Sequence, residues 1–195
     1  MEKTNFKLPA FSSFFMAGFE CTYALVEKHE RFDLLRASRH DGMCRSDYKM
    51  IKELGIHTVR EGLAWNQIDN ENGQYDFSRF ETMMQIAKEE EIQQIWDLNH
   101  FDFPENLDPF SPAFITRFAE YSKRAIELIR KYQGGTLYIV PINEISFFSW
   151  AAGEAGWIHP LLRGRGGGGK RGPPWPRANA THSRSQAPPP RSRSQ

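Results

Sequence analysis

Cysteine is scarce: two residues in 195, Cys21 and Cys44, cannot build a disulfide framework, and no His/Cys spacing matches a structural zinc site. A reducing compartment is therefore expected. Nowhere does the chain reach the roughly 20 consecutive apolar residues of a membrane helix. The apolar patch near the amino end is interrupted by Ser12 and Ser13 and closed by Glu20, with no clean small-residue cleavage site after it. These absences point to a cytoplasmic chain without membrane partners. Acidic residues are missing from Arg163 onward, where eight of the 25 basic residues lie. Residues 1–162 thus hold 17 basic against all 24 acidic residues, a net charge of −7. The overall charge of +1 joins an acidic body to a basic tail.

The tail, residues 163–195, is Gly, Pro, Ser and Arg with almost nothing to bury, a composition that cannot offset the entropy of ordering its backbone. Disorder is expected there. Arg-Gly and Arg-Ser tails bind RNA or other partners. The abrupt change at the Gly run also fits an unrelated end, such as alternative splicing or a shifted frame appends. The acidic body has no basic stripe interleaved with aromatics, so nucleic acid is disfavoured as its partner. An Asn-x-Thr sequon at Asn179 has no meaning in a cytoplasmic chain.

The body, 39% apolar overall with 13% aromatics, has the composition of one globular domain. Four apolar runs read as strands: residues 13–19, 56–61, 92–98 and 136–142. Helical patterns fill the gaps. Ser46 is placed to cap a helix with Tyr48, Ile51 and Leu54 on one face, ended by Gly55. Ser78 and Glu81 have capping-box spacing ahead of a stripe of Phe80, Met83, Met84 and Ala87. Ser111-Pro112 is an N-cap and first-turn pair before Phe114, Phe118, Tyr121, Ala125 and Leu128. Strands apolar on both faces, alternating with helices, imply a parallel α/β sheet.

In parallel α/β folds the functional groups gather where the strands end. The first run leads into Glu20, and the second ends at Arg60-Glu61. The third ends in Asn99, His100 and Asp102, the fourth in Asn143-Glu144. The starts of the strands carry nothing comparable.

Five segments, "MAGFECTYA", "DYKMIKELGIHTVREGLAWNQID", "GQYDFSRF", "IWDLNHFDFPENL" and "PINEISFFSWAAGEAGW", resemble in order the first four strand-loop segments of glycoside hydrolase family 1 and its clan A relatives. The resemblance covers residues 11–160 and implies a (β/α)8 TIM barrel of which four βα units are present. The activity it implies is retaining β-glucosidase-like hydrolysis of saccharides or glycosides, without a cofactor or metal. Under it Glu144 is the general acid/base, Asn143 bonds the sugar 2-hydroxyl, His100 bonds a ring hydroxyl and Arg60 supports the nucleophile. "HFDFP" stands where the family has "HWDLP". No Gln occupies the place where family 1 has one in the first segment, and Glu20 is the candidate substitute. Glu20, Arg60, His100 and Glu144 should share one rim.

A glycosidic oxygen leaves poorly unless an acid protonates it, and the same group then activates water. An amide on the 2-hydroxyl acts most strongly as charge grows at the anomeric carbon. Sugar C–H faces stack on aromatic rings, for which Trp65, Phe147, Phe148, Trp150 and Trp157 are candidates, Trp150 first. Plainer readings stand beside these. Asn143-Glu144 also suits a helix start, with Asn as cap and Glu in the first turn. Arg60 suits an ion pair with Glu61 or Asp41. His100 suits a loop histidine satisfied by backbone. Asp102 and Glu20 fit either sugar contact or loop structure.

A retaining enzyme also needs a second carboxylate roughly 5 Å from the first, which in clan A comes from strand seven. Eight units take about 250 residues, so residues 1–162 amount to an amino-terminal half, expected to be inactive alone. Its apolar inner face and open edges call for an association that covers them. The competing reading is a non-enzymatic half-barrel that binds saccharide or another chain weakly, or a tail that binds nucleic acid.

Overall fold

The computed structural model describes residues 10–26, 30–70 and 73–162. All belong to the first of two units into which the chain divides, residues 1–165 and 166–195. The disorder expected of 163–195 lies outside the described residues.

Four strands, β1 (Met16–Gly18), β4 (Thr58–Gly62), β5 (Gln93–Asp97) and β6 (Tyr138–Val140), form one parallel sheet in that order. They fall inside the four apolar runs, with β4 reaching one residue further. Between β1 and the next sheet strand the chain makes an antiparallel pair, β2 (Tyr23–Val26) and β3 (Glu30–Asp33), and a short helix α1 (Leu34–Ala37). Nothing in the sequence pattern had distinguished this hairpin from loop. The remaining helices are α2 (His40–Glu53), α3 (Trp65–Ile68), α4 (Ser78–Glu89), α5 (Pro112–Tyr132) and α6 (Ile145–Gly153).

Helix starts differ from expectation in two places. The first sheet-crossing helix begins at His40, well before Ser46, because His40, Cys44 and Tyr48 at four-residue spacing all bury one face. Ser46 lies within it and donates to the Met43 carbonyl at 2.7 Å, while Leu54 is 72% exposed and off the packed face. In α4 the capping position is Phe77, and the Ser78 amide donates to Asp76 Oδ1 at 2.9 Å. Glu81 accepts from the Tyr132 hydroxyl at 2.7 Å, so no capping box forms. Ser111 does cap α5 by position, with Pro112 behind it, but its hydroxyl bonds back to the Asp108 carbonyl.

The register puts Gly18, Arg60, Ile95 and Tyr138 side by side on one face, with Gly62, Asp97 and Val140 one pleat further on. The opposite face carries Val59, Glu61, Gln94 and Trp96, all buried under the helices. There the stripes of α4 and α5 meet the sheet: Phe80, Met83, Met84, Ala87, Tyr121 and Ala125 are each 1% exposed or less. Trp65 stacks on Tyr121 at 5.3 Å between centroids and is closed in by Phe103, Phe114 and Phe118. Truncating so large a buried ring to Ala costs about 3–5 kcal/mol. Full burial removes Trp65 from the residues able to stack on a sugar.

Candidate functional site

The ends of β4, β5 and β6 are tied edge to edge by backbone bonds. Leu63 N–H donates to the Asp97 carbonyl, Leu98 N–H to Val140 and Asn143 N–H to Asn99, each at 2.9 Å. Phe19 N–H donates to the Arg60 carbonyl at 3.1 Å, bringing the segment after β1 into the same rim. Three of the expected site residues converge there on a fourth that sequence reading passed over, Asp97.

Asp97 is fully buried. Its carboxylate takes Arg60 Nε on Oδ1 at 2.9 Å and Arg60 Nη2 on Oδ2 at 2.6 Å, a two-pronged pair. Arg60 Nη2 also donates to Asn143 Oδ1 at 2.5 Å. Asn143 Nδ2 lies 3.0 Å from His100 Nε2, and His100 Nδ1 lies 2.9 Å from Asp97 Oδ2 and 3.2 Å from Cys21 Sγ. Arg60, Asn143, His100 and Asp97 therefore close a ring of hydrogen bonds, with the Cys21 thiol at its side. The Asp97 bonds, above the opposing cost of burial, raise the Arg60 guanidinium above its already high ordinary value. Arg60 pairs with neither Glu61 nor Asp41: Glu61 points to the helix side, and Asp41 pairs with Arg79. His100 is satisfied by side chains, not by backbone.

Gly62 makes room for this arrangement. A Cβ there would stand 2.9 Å from Cys21 Cβ, so only glycine lets the segment after β1 close on the sheet. Burial and the charges of Asp97, Glu61 and Glu20 push the Cys21 thiol up, keeping it protonated. Cys21, Asp97 and His100 offer sulfur, oxygen and nitrogen within 4.8 Å of one another, the donor types that hold zinc. Arg60 already occupies both oxygens of that carboxylate, and a protonated thiol is no ligand, so the cluster as arranged is a hydrogen-bonded set.

Glu144 occupies the N-cap position of α6 with φ of 42°, in the left-handed region that a residue with a Cβ enters at a cost. Its side chain makes no capping bond, and it is exposed. The plainer reading, Asn143 as cap with Glu144 in the first turn, is not what the backbone does. Phe101, directly after His100, also has positive φ, 74°. The two left-handed residues thus adjoin the two side chains that meet across the ring.

The other expected residues stand apart from the ring. Glu20 accepts from the Thr22 amide at 2.9 Å. Burial would raise its carboxyl, but the Thr22 bonds outweigh burial and lower it. Trp150 on α6 is 43% exposed and packs edge-on against Trp157 at 4.7 Å. Asp102 turns away from solvent: Oδ2 accepts the Asn66 amide at 2.8 Å, and burial pushes the acid up to about 8. It is loop structure, joining the segments after β4 and β5. Asp97 and Cys21 had no motif to announce them. A clue to Asp97 was its alternation with Ile95 in an apolar run, but matching it to Arg60 needs the register.

A family model described as beta-galactosidase, of glycoside hydrolase family 42, matches residues 37–96. No curated protein matches. Among solved structures, the chain is similar to a β-glucosidase from Thermotoga maritima in complex with glucoimidazole, with TM-score 0.63 and 17% identity over 81% of this chain and 41% of that one. A β-glycosidase from Pyrococcus horikoshii gives TM-score 0.55 at 17% identity, over 64% of this chain and 30% of that one. The virulence factor SghA from Agrobacterium tumefaciens gives TM-score 0.57 at 21% identity, over 64% of this chain and 29% of that one. The fold is thus part of a (β/α)8 glycosidase barrel, and the chain spans less than half the length of these structures. Residues 37–96 are thus similar in sequence to a glycoside hydrolase family, and the described fold is similar to that of glycosidases. Among the described residues no helix is long and apolar enough to cross a membrane.

Proposed function

We propose that the chain carries the acid/base side of a retaining, family 1-type β-glucosidase site. The observation that supports this most is Glu144: an exposed carboxylate in a left-handed turn at the end of β6, beside an Asn143 held by Arg60 and His100. Glu144 protonates the glycosidic oxygen and then deprotonates water. Asn143 meets the 2-hydroxyl and His100 a ring hydroxyl. Arg60, a guanidinium held on both oxygens of Asp97, supports the nucleophile that the resemblance assigns to the seventh strand. Trp150 and Glu20 line the approach. Alone, the chain binds saccharide without turning it over.

Residues 1–162 joined to the carboxyl-terminal half of the Thermotoga enzyme should hydrolyse aryl β-glucosides. In that chimera Glu144→Gln should slow substrates with poor leaving groups by roughly 10²–10⁴ and activated aryl glucosides far less, since only the former need the proton. Azide should partly rescue the variant by replacing the water that Glu144 activates. Equal rates for the parent chimera and its Glu144→Gln variant on both substrate types would remove Glu144 from the chemistry.

A further inference from the structure

The hydrogen-bond ring fixes the direction of each bond, starting from Arg60. A guanidinium only donates, so the Asn143 atom at 2.5 Å from Nη2 is the carbonyl oxygen, and the amide nitrogen must face His100. That nitrogen also only donates, so His100 Nε2, 3.0 Å away, accepts and carries no proton. The imidazole proton then sits on Nδ1, 2.9 Å from Asp97 Oδ2. Asp97, held on both oxygens by Arg60, is a pure acceptor aimed at that proton.

We infer that Asp97 is a positioning residue that holds His100 as its Nδ1–H tautomer, so that the site presents an acceptor at Nε2 and selects a neutral hydroxyl over a phosphate or carboxylate at that point. This rests on the saccharide-site reading above and sharpens it. A hydroxyl is both donor and acceptor, so it can replace the direct Asn143–His100 bond, giving its proton to the Nε2 lone pair that this bond fills and accepting the Asn143 amide. A phosphate or carboxylate oxygen has no proton to give, and against the Nε2 lone pair it meets only repulsion. Arg60 offers such an anion little, because its charge is already balanced by Asp97, and Glu20 and Glu144 add negative charge nearby. A sugar is therefore accepted with the hydroxyl facing His100 free, not phosphorylated.

The full chain labelled with ¹⁵N-histidine tests this above about pH 8, where an ordinary imidazole carries one proton. Long-range ¹H–¹⁵N spectra distinguish the tautomers, and His100→Gln identifies the His100 signals. The expected spectrum shows Nδ1 protonated and Nε2 bare. In Asp97→Asn the new carbonyl turns to Arg60 and the new amide donates to Nδ1, so the proton should move to Nε2 and salicin, a neutral aryl glucoside, should bind about tenfold or more weaker. Wild-type His100 found protonated on Nε2 overturns the inference even if Asp97→Asn does not fold. So does an Asp97→Asn spectrum that keeps the wild-type tautomer, or a salicin phosphorylated on its sugar that binds the wild type as well as salicin does. Salicin failing to bind a chain with the expected tautomer would instead overturn the saccharide reading and leave the role of Asp97 in setting the tautomer standing.

Discussion

Arg60 and Glu61 are neighbours in one strand, yet they belong to two polar networks on opposite faces of the sheet. Behind the sheet, Glu61 Oε1 accepts from Tyr48 at 2.6 Å and pairs with His40 Nε2 at 3.0 Å, while His40 Nδ1 meets Asp47 at 2.6 Å. Gln94 donates to Tyr48, and Phe19 stacks flat on the imidazole at 3.6 Å. Glu61, His40 and Tyr48 are each no more than 1% exposed. In front, the Arg60 side chain is 43% exposed and Glu144 makes no capping bond to the helix it precedes. Both sets are networks of charge and hydrogen bond. The rear one has its central groups, Glu61, His40 and Tyr48, closed off from water and reaches the surface only at Asp47, which is 19% exposed, and this makes it architecture. The front one meets solvent at Arg60, with His100 at 13%, which is where the proposed site would admit a ligand hydroxyl.

The largest test of that contrast is Glu61→Ala. Removing one partner of a buried charged pair leaves His40 charged and without its buried counter-ion, at a cost of about 3–5 kcal/mol in denaturant unfolding. A loss under about 1 kcal/mol would mean the rear network does not hold α2 to the sheet. The pH response sharpens the same point. Burial opposes the charge on His40, but its bonds with Cys44, Glu61 and Asp47 raise it to about 10. Its ordinary value is 6.5, so the folded chain holds a proton that the unfolded chain releases. That stability is complete below about 6.5 and disappears as pH rises through about 10. Unfolding midpoints measured from about pH 7 to about pH 10 should fall, and in His40→Gln this fall should flatten.

Asp102 tests the loops rather than the sheet. Its acid is raised to about 8 by burial, so it too binds a proton more tightly folded than unfolded, and stability falls as pH rises from about 4 to about 8. Asp102→Asn keeps an acceptor for the Asn66 amide without the charge. It should stabilise the chain by on the order of 1–3 kcal/mol near pH 8 and by little near pH 4. Equal effects at both pH values would show that the carboxyl is not desolvated. A smaller effect than Glu61→Ala is expected at the front: Arg60→Ala leaves the buried Asp97 without its counter-ion, but water can reach the place vacated by a side chain 43% exposed, so the cost should be about 1–3 kcal/mol of stability, while salicin binding is lost. A stability loss matching that of Glu61→Ala would erase the distinction between the two faces.

Much of this was legible in residue order. The four sheet strands, the apolar faces of α4 and α5, and the gathering of Arg60, His100 and Asn143 at one rim follow from periodicity and from the rule that parallel strands end at the site. The hairpin of β2 and β3 was not legible, because "TYALVEKHERFD" carries charges along its second half and no two-residue turn signal. The start of α2 was missed for a related reason. His40 reads as a polar flank, and only burial against Phe19 and Glu61 makes it the first residue of a packed helix. Trp65, set down as a sugar platform, is buried because α5 crosses over it.

The sequence by itself determined which segments become parallel strands and which carboxamide-carboxylate pair ends the fourth, since strand and helix periods and local caps depend only on near neighbours. Only the tertiary structure decided that Asp97 faces Arg60 and Glu61 faces His40. In a parallel sheet the register between strands far apart in the chain sets which side chains share a face, and a slip of one residue would exchange the site with the core.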